Sequence, residues 1–320
     1  MKLRNTINTL CLFVALLIPS MVFAAEKASA LHVAFEAEVT TAINKILADS
    51  VIKNWSMSLS IFLAAVCLFI ALAKWAKDGS LLDVFVTCIL FIIFLGLYPV
   101  YGVVVDTVFG ACVELGDSMY KAAIGNTTED VILESFINAV SLPTAGFFDA
   151  FDVFIMSILW YIAIAFLSLA VYFANIWLIV GLAIAKVIGV IFLPFLIAPV
   201  TQRYFSSWVN FFIFWGVSAI FLRLTSIITM LIMKASLNAV ATKKNVGDII
   251  GNDFTANKVI EMGTDNMLLL ISLAAFVFIA ALMIFGSFKL AQQCLGAGSS
   301  AGASLNNGAT ALAKKAMLLF

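Results

Sequence analysis

An apolar run from 153 to 202 constrains this chain more than any other feature, because its only charged residue is Lys186. Such a run is far too long for the core helix of a soluble domain, whereas membrane-spanning helices have this composition. As one unbroken helix the run would measure roughly 75 Å, against about 30 Å of hydrocarbon in a bilayer. The sequence therefore predicts membrane helices here, and it predicts that the run is more than one simple crossing.

Two foldings of this run remain open from the sequence. In the first, the run forms a full hairpin that turns near Asn175 or Gly181, and the chain crosses the membrane six times. In the second, the run crosses once and continues as a broken segment at Pro194 and Pro199, which gives five crossings. The short loop at Arg203 favours five crossings and a cytoplasmic tail, since positive charges in short loops tend to lie on the cytoplasmic side.

Composition places the whole chain in the same class. Hydrophobic residues make up 64% of it and charged residues only 11%, which is typical of an all-α, polytopic helical membrane protein. The formal net charge is zero, so no basic surplus is present to hold nucleic acid by neutralising phosphates. Any contact with nucleic acid is therefore expected to be transient.

The first 24 residues have the layout of a secretory signal peptide. Lys2 and Arg4 precede a short apolar stretch, and Pro19 and small residues at Val22 and Ala24 follow it. The alternative is an uncleaved anchor helix, and the V-F-A site favours cleavage after Ala24. This layout suits a protein of the bacterial inner membrane whose mature N-terminus lies outside the cytoplasm.

The rest of the chain divides by charge and apolar length. Lysines after the first span predict a cytoplasmic turn, and the acidic, lysine-poor region that follows the second span predicts a periplasmic location. The acids of that region are scattered, which favours a solvated face over a substrate or cation site. The predicted segments are an extracytoplasmic amphipathic helix at 25–55, two transmembrane helices at 56–105, a periplasmic helical region at 106–150, a transmembrane core at 151–290 and a flexible cytoplasmic tail at 291–320.

A charged lysine at bilayer depth costs free energy, so the side chain of Lys186 must reach an interface, water or protein. One interpretation is that it snorkels to a nearby interface. The other is that it faces a neighbouring subunit or a wet passage, beside the small residues Gly181, Ala185 and Gly189, which recur every four residues and allow close helix packing. Arg223, inside the next span, raises the same question.

The stretch PFLIAPVTQRYFSSW, which follows an apolar helix through a proline bend and leads into an aromatic-rich span, resembles the TrbL family. Members of that family are polytopic inner-membrane channel subunits of bacterial type IV secretion and conjugation machines. The resemblance covers about 151–290, and its matching positions are Phe195, Thr201, Arg203, Phe205 and Trp208. It implies about five spans, a homo-oligomer, partner ATPases and pilus components, and DNA or protein as cargo.

Catalytic and metal-binding motifs are absent from the sequence. It has no phosphate-binding G-x-x-x-x-G-K-[ST], no H-E-x-x-H and no G-x-S-x-G, and His32 is its one histidine. We therefore expect no enzyme, no cofactor and no metal site. The alternative function is a secondary transporter in which Lys186 and Arg223 bind an anionic solute beside the broken helix at Pro194 and Pro199.

Overall fold

A computed structural model of the chain describes residues 34–79, 82–125, 132–133, 135–136, 139–141, 150–243, 247–261 and 267–295. The predicted signal peptide at 1–24 and the tail from 296 onward lie outside the described residues.

The described residues form an all-α membrane protein, as predicted. Five of the helices are long and apolar enough to cross a membrane. The helices are α1 at 34–48, α2 at Ser50–Asp78, α3 at Leu82–Ile124, α4 at Ala150–Phe192, α5 at Gln202–Lys243 and α6 at Met267–Cys294.

The first span begins six residues before the predicted start at 56. The Asp49 side chain accepts hydrogen bonds from the backbone N–H groups of Val51 and Ile52, which caps α2 and separates it from α1. Gly79 ends the helix in the left-handed conformation, at a φ of 70°. The buried residues of α2 are small, which lets neighbouring helices approach it closely; they are Ser56, Ser60, Ala64 and Ala71.

The second span does not stop at 105 but continues as α3 to Ile124, with Pro99 inside it. Proline is tolerated within a membrane helix because neighbouring groups satisfy the backbone it frees. Beyond α3, residues 132–133 and 135–136 of the helical region predicted at 106–150 are helical, while Val140 lies in a short strand.

The run from 153 to 202 forms no hairpin at Asn175 or Gly181, since α4 passes through both positions without a break. It ends at a turn that we call the proline turn, residues 193–201. Pro194 has no N–H, so the carbonyl of Val190 loses its helical partner. The Ser56 hydroxyl of α2 donates to that carbonyl at 2.8 Å, so the break is stabilised by a neighbouring helix.

The proline turn is closed by side chains of its own segment. The Thr201 hydroxyl lies 3.1 Å from the carbonyl of Phe195 and 3.0 Å from that of Ala198, and the Gln202 amide donates to the carbonyl of Leu196. The Ala198 carbonyl also accepts from the backbone N–H groups of Thr201 and Gln202, so side-chain and backbone bonds together close the turn. The turn directs α5 back along α4.

At the opposite end of the helices, two short strands and a loop lie near the end of α5. The two-residue strands Val140–Ser141 and Ile260–Glu261 pair in parallel. Asn238 accepts from the N–H groups of Ile249 and Ile250 and donates to the carbonyl of Ile250, which fixes the loop against α5. These bonds tie the loop after α5 into the fold.

Helix directions follow from cross-helix contacts. Trp215 of α5 packs on Gly181 of α4, and Trp208, one heptad earlier, packs on Gly189, so α4 and α5 are antiparallel. Phe166 and Phe173 of α4 contact rings of α6, and α6 runs parallel to α4. We call α4, α5 and α6 the bundle.

Candidate functional site

Lys186 pairs with an acid of another helix. Its ammonium lies 2.6 Å from Asp106 Oδ1 and 2.7 Å from Oδ2, and Asp106 belongs to α3. The lysine side chain is only 8% exposed, whereas that of Asp106 is 56% exposed. The positive charge is therefore buried within the subunit, and its counter-ion stands at the subunit surface.

Two aromatic side chains hold the backbone of α4 at Lys186. Tyr101 of α3 donates its hydroxyl to the carbonyl of Lys186 at 2.8 Å, and Trp208 of α5 donates its indole N–H to the carbonyl of Ala185 at 2.8 Å. The two rings also contact each other, with centroids 5.8 Å apart. Helices α3, α4 and α5 thus converge at this level, and the ion pair sits at the convergence.

The small-residue stripe of α4 is occupied within the chain. A Cβ at Gly181 would overlap the Trp215 ring, and a Cβ at Gly189 would overlap the Tyr101 hydroxyl and lie 2.5 Å from Trp208. Both glycines therefore let tryptophans of α5 approach the α4 backbone. The helix that approaches closely along this stripe is α5 of the same subunit.

Arg223 makes the second cross-helix ion pair. Its Nε lies 2.7 Å from Asp117 Oδ1 of α3, and the two side chains are 30% and 40% exposed. The stem of Arg223 crosses Gly116, where a Cβ would stand 2.9 Å from the arginine Cγ. This pair is more accessible than the pair at Lys186.

Both acids belong to one face of α3. Asp106 and Asp117 are eleven residues apart, which is close to three helical turns, and Glu114 lies near the same face and is exposed. From the sequence, the scattered acids of 106–150 favoured a solvated face over a substrate or cation site. The eleven-residue spacing of Asp106 and Asp117 was the one sequence feature that could have linked them. It indicates only that their side chains share a face of α3, and it does not identify their partners.

The other residues of the family-like stretch cluster around the proline turn. The Arg203 guanidinium donates to the Tyr204 hydroxyl at 2.9 Å and lies over the Tyr204 ring, and the arginine is exposed. Phe195 contacts the Tyr204 ring, and Phe205 contacts Trp208. The structure thus brings Phe205 and Trp208 toward Lys186 and leaves Arg203 at the surface.

Among the described residues, no group of three metal-ligating side chains comes together. The chain matches no protein-family model, no curated protein and no solved structure. The functional argument therefore depends on the charged face of α3, defined as Asp106, Glu114 and Asp117, and on the two cations that meet it.

Proposed function

We propose that this chain is an inner-membrane subunit of a type IV secretion apparatus of the conjugation type. In that apparatus it forms part of the translocation channel or of the assembly platform. The observation that supports the proposal best is the charged face of α3, which is partly exposed on a chain that is otherwise strongly apolar. Charges at helix level in a membrane protein face water or other protein.

The pairing of charges suits a passage for large, variable cargo. Lys186 and Arg223 bring two positive charges to a face with three acids, so the face stays polar while most of its charge is balanced. A wet surface without a strong excess of one sign attracts neither DNA nor protein tightly. The energy for transfer would come from partner ATPases, because the sequence has no nucleotide-binding motif of its own.

The secondary-transporter alternative is less well supported. A site for an anionic solute at the membrane midplane needs a cation that the solute can neutralise. Both Lys186 and Arg223 already meet a carboxylate of α3 at 2.6–2.7 Å. A solute would have to displace these acids.

The test is transfer in a strain that lacks the chain. We expect loss of DNA or protein transfer to recipient cells and recovery when the wild-type chain is supplied in trans. Lys186→Met is expected to reach normal membrane levels and to restore transfer poorly, because Asp106 on the charged face loses its counter-ion. Gly286→Ala of α6, where a Cβ meets nothing within 4 Å, is the matched control and should restore transfer fully. Normal transfer without the chain would refute the proposal.

A further inference from the structure

The helix α1 at 34–48 has one apolar and one polar face. Residues three and four apart on a helix lie on the same side of it, because a turn takes 3.6 residues. The large apolar side chains of α1 follow this spacing, and we call them the apolar face; they are Phe35, Val39, Ile43, Ile46 and Leu47. The opposite side of the helix is polar and carries Thr40, Thr41, Asn44 and Lys45.

The subunit covers only part of the apolar face. Leu47, the member next to α2, packs against the hydrophobic core. Ile46 is 39% exposed, and Phe35, Val39 and Ile43 are half-buried. The end of the face near α2 is therefore attached to the core, while the rest is left partly open.

The chain changes direction between α1 and α2. Asp49 lies between the two helices and has a ψ of 128°, whereas a residue inside a helix has a ψ of about −42°. The Asp49 side chain then caps the new helix by accepting from Val51 and Ile52. Because this extended residue interrupts the helical path, α1 leaves the axis of α2 at the point where α2 begins.

The beginning of α2 has the features of a membrane boundary. Lys53 and Trp55 are exposed there, and lysine and tryptophan are favoured at the interface between lipid and water. No charged residue follows from 57 to 73, a stretch of about 25 Å against about 30 Å of hydrocarbon. Lys74 and Trp75 come next, at the other boundary. The end of α1 therefore lies at the level of the lipid headgroups.

The length and charges of α1 decide how its apolar face can meet lipid. With 15 residues α1 is about 22 Å long, and it contains Glu36, Glu38 and Lys45, so it does not cross the hydrocarbon. A helix at headgroup level that does not cross can still bury an apolar face by lying parallel to the membrane surface. Its polar face then remains in water.

We propose that α1 lies in the plane of the membrane surface, with its apolar face at the boundary between headgroups and acyl chains. Two glutamates and one lysine give the helix a formal net charge of −1, so attraction to anionic lipid does not hold it there. Burial of the apolar side chains does. This inference depends neither on the secretion role nor on the side of the membrane that α1 occupies.

The experiment is power-saturation electron paramagnetic resonance on the full chain in phosphatidylcholine vesicles. Each variant carries a nitroxide on a single cysteine, and serine replaces the native cysteines. Val39→Cys and Ile43→Cys probe the apolar face, while Thr41→Cys and Asn44→Cys probe the polar face. We expect the first two labels to collide more with oxygen, which concentrates in hydrocarbon, than with a water-soluble nickel complex. The other two labels should show the reverse.

A label at Phe69→Cys is the lipid standard, because Phe69 is 76% exposed in the middle of the first span. It should favour oxygen as the apolar-face labels do, which also shows that the reconstituted chain is inserted. Adding phosphatidylglycerol to the vesicles should leave the pattern on α1 unchanged, since charge does not hold the helix. Two positions on each face guard against a variant that does not fold.

Three results would overturn the proposal. More collisions with nickel than with oxygen at both Val39→Cys and Ile43→Cys would place α1 in water. Few collisions with either reagent at these positions would mean that protein, such as a second copy of the chain, covers the apolar face. A pattern that appears only with phosphatidylglycerol would mean that charge holds the helix. All three are distinct from failure of the secretion role, because the labels are read in vesicles without any transfer assay.

Discussion

The ion pair at Lys186 predicts an asymmetry between its two partners. Asp106→Asn leaves a buried ammonium without its carboxylate, whereas Lys186→Met removes the buried charge and leaves a carboxylate that is already 56% exposed to water. Breaking a fully buried pair costs about 3–5 kcal/mol, and exposed pairs contribute about 0–1 kcal/mol. Because Asp106 is half exposed, we expect Asp106→Asn to destabilise the fold by about 2 kcal/mol and Lys186→Met by less than about 1 kcal/mol.

The double variant Asp106→Asn with Lys186→Met separates this argument from simple loss of packing. Methionine keeps most of the lysine stem and needs no counter-ion, so the double variant should be more stable than Asp106→Asn alone. The expected coupling between the two positions is about 1 kcal/mol, within the range for residues in direct contact.

The assay is thermal unfolding of the detergent-purified protein. The quantity measured at each temperature is the fraction of protein that remains monodisperse. At about 2–4 °C per kcal/mol, Asp106→Asn should lower the Tm by roughly 4–8 °C and Lys186→Met by no more than about 4 °C. Equal losses from the two single variants, together with additive loss in the double variant, would refute the idea that burial of the ammonium makes the pair asymmetric.

Three further predictions concern packing and the second pair. Gly189→Ala should destabilise the fold by more than about 2 kcal/mol, because its Cβ would overlap Tyr101. Gly102→Ala is the control, because a Cβ at that position meets nothing within 4 Å. Equal Tm values for the two variants would contradict the close packing at Gly189. Ser56→Ala should cost about 1–2 kcal/mol in the same thermal assay, since the carbonyl freed by proline loses its donor; an unchanged Tm would mean that another donor serves. Arg223→Met should cost less than about 1 kcal/mol, since that pair is 30–40% exposed, and a loss as large as that of Asp106→Asn would argue against this ranking of the two pairs.

Local and compositional properties of this protein were predictable from its sequence. Long apolar runs fix the helical membrane class, since only structures that satisfy their own backbone bonds survive in hydrocarbon. The break at Pro194 was visible because proline removes an N–H wherever it occurs. The helices α5 and α6 also fall within or near the predicted transmembrane core at 151–290.

What only the tertiary structure decided is where the side chains of different helices meet. The sequence left open whether Lys186 snorkels or faces protein, because that depends on whether an acid some 80 positions earlier lies within reach. The six-crossing hairpin also stayed open, since residues such as Asn175 and Gly181 are compatible with either a turn or a packed helix. In the structure the helix continues through Gly181, and the Trp215 ring packs on it there. Glycine has no side chain, so the ring can approach the helix backbone closely, and this contact stabilises the continuous helix. Such contacts join residues that are distant in the chain, and helical periodicity identifies the face of each residue but not its partner.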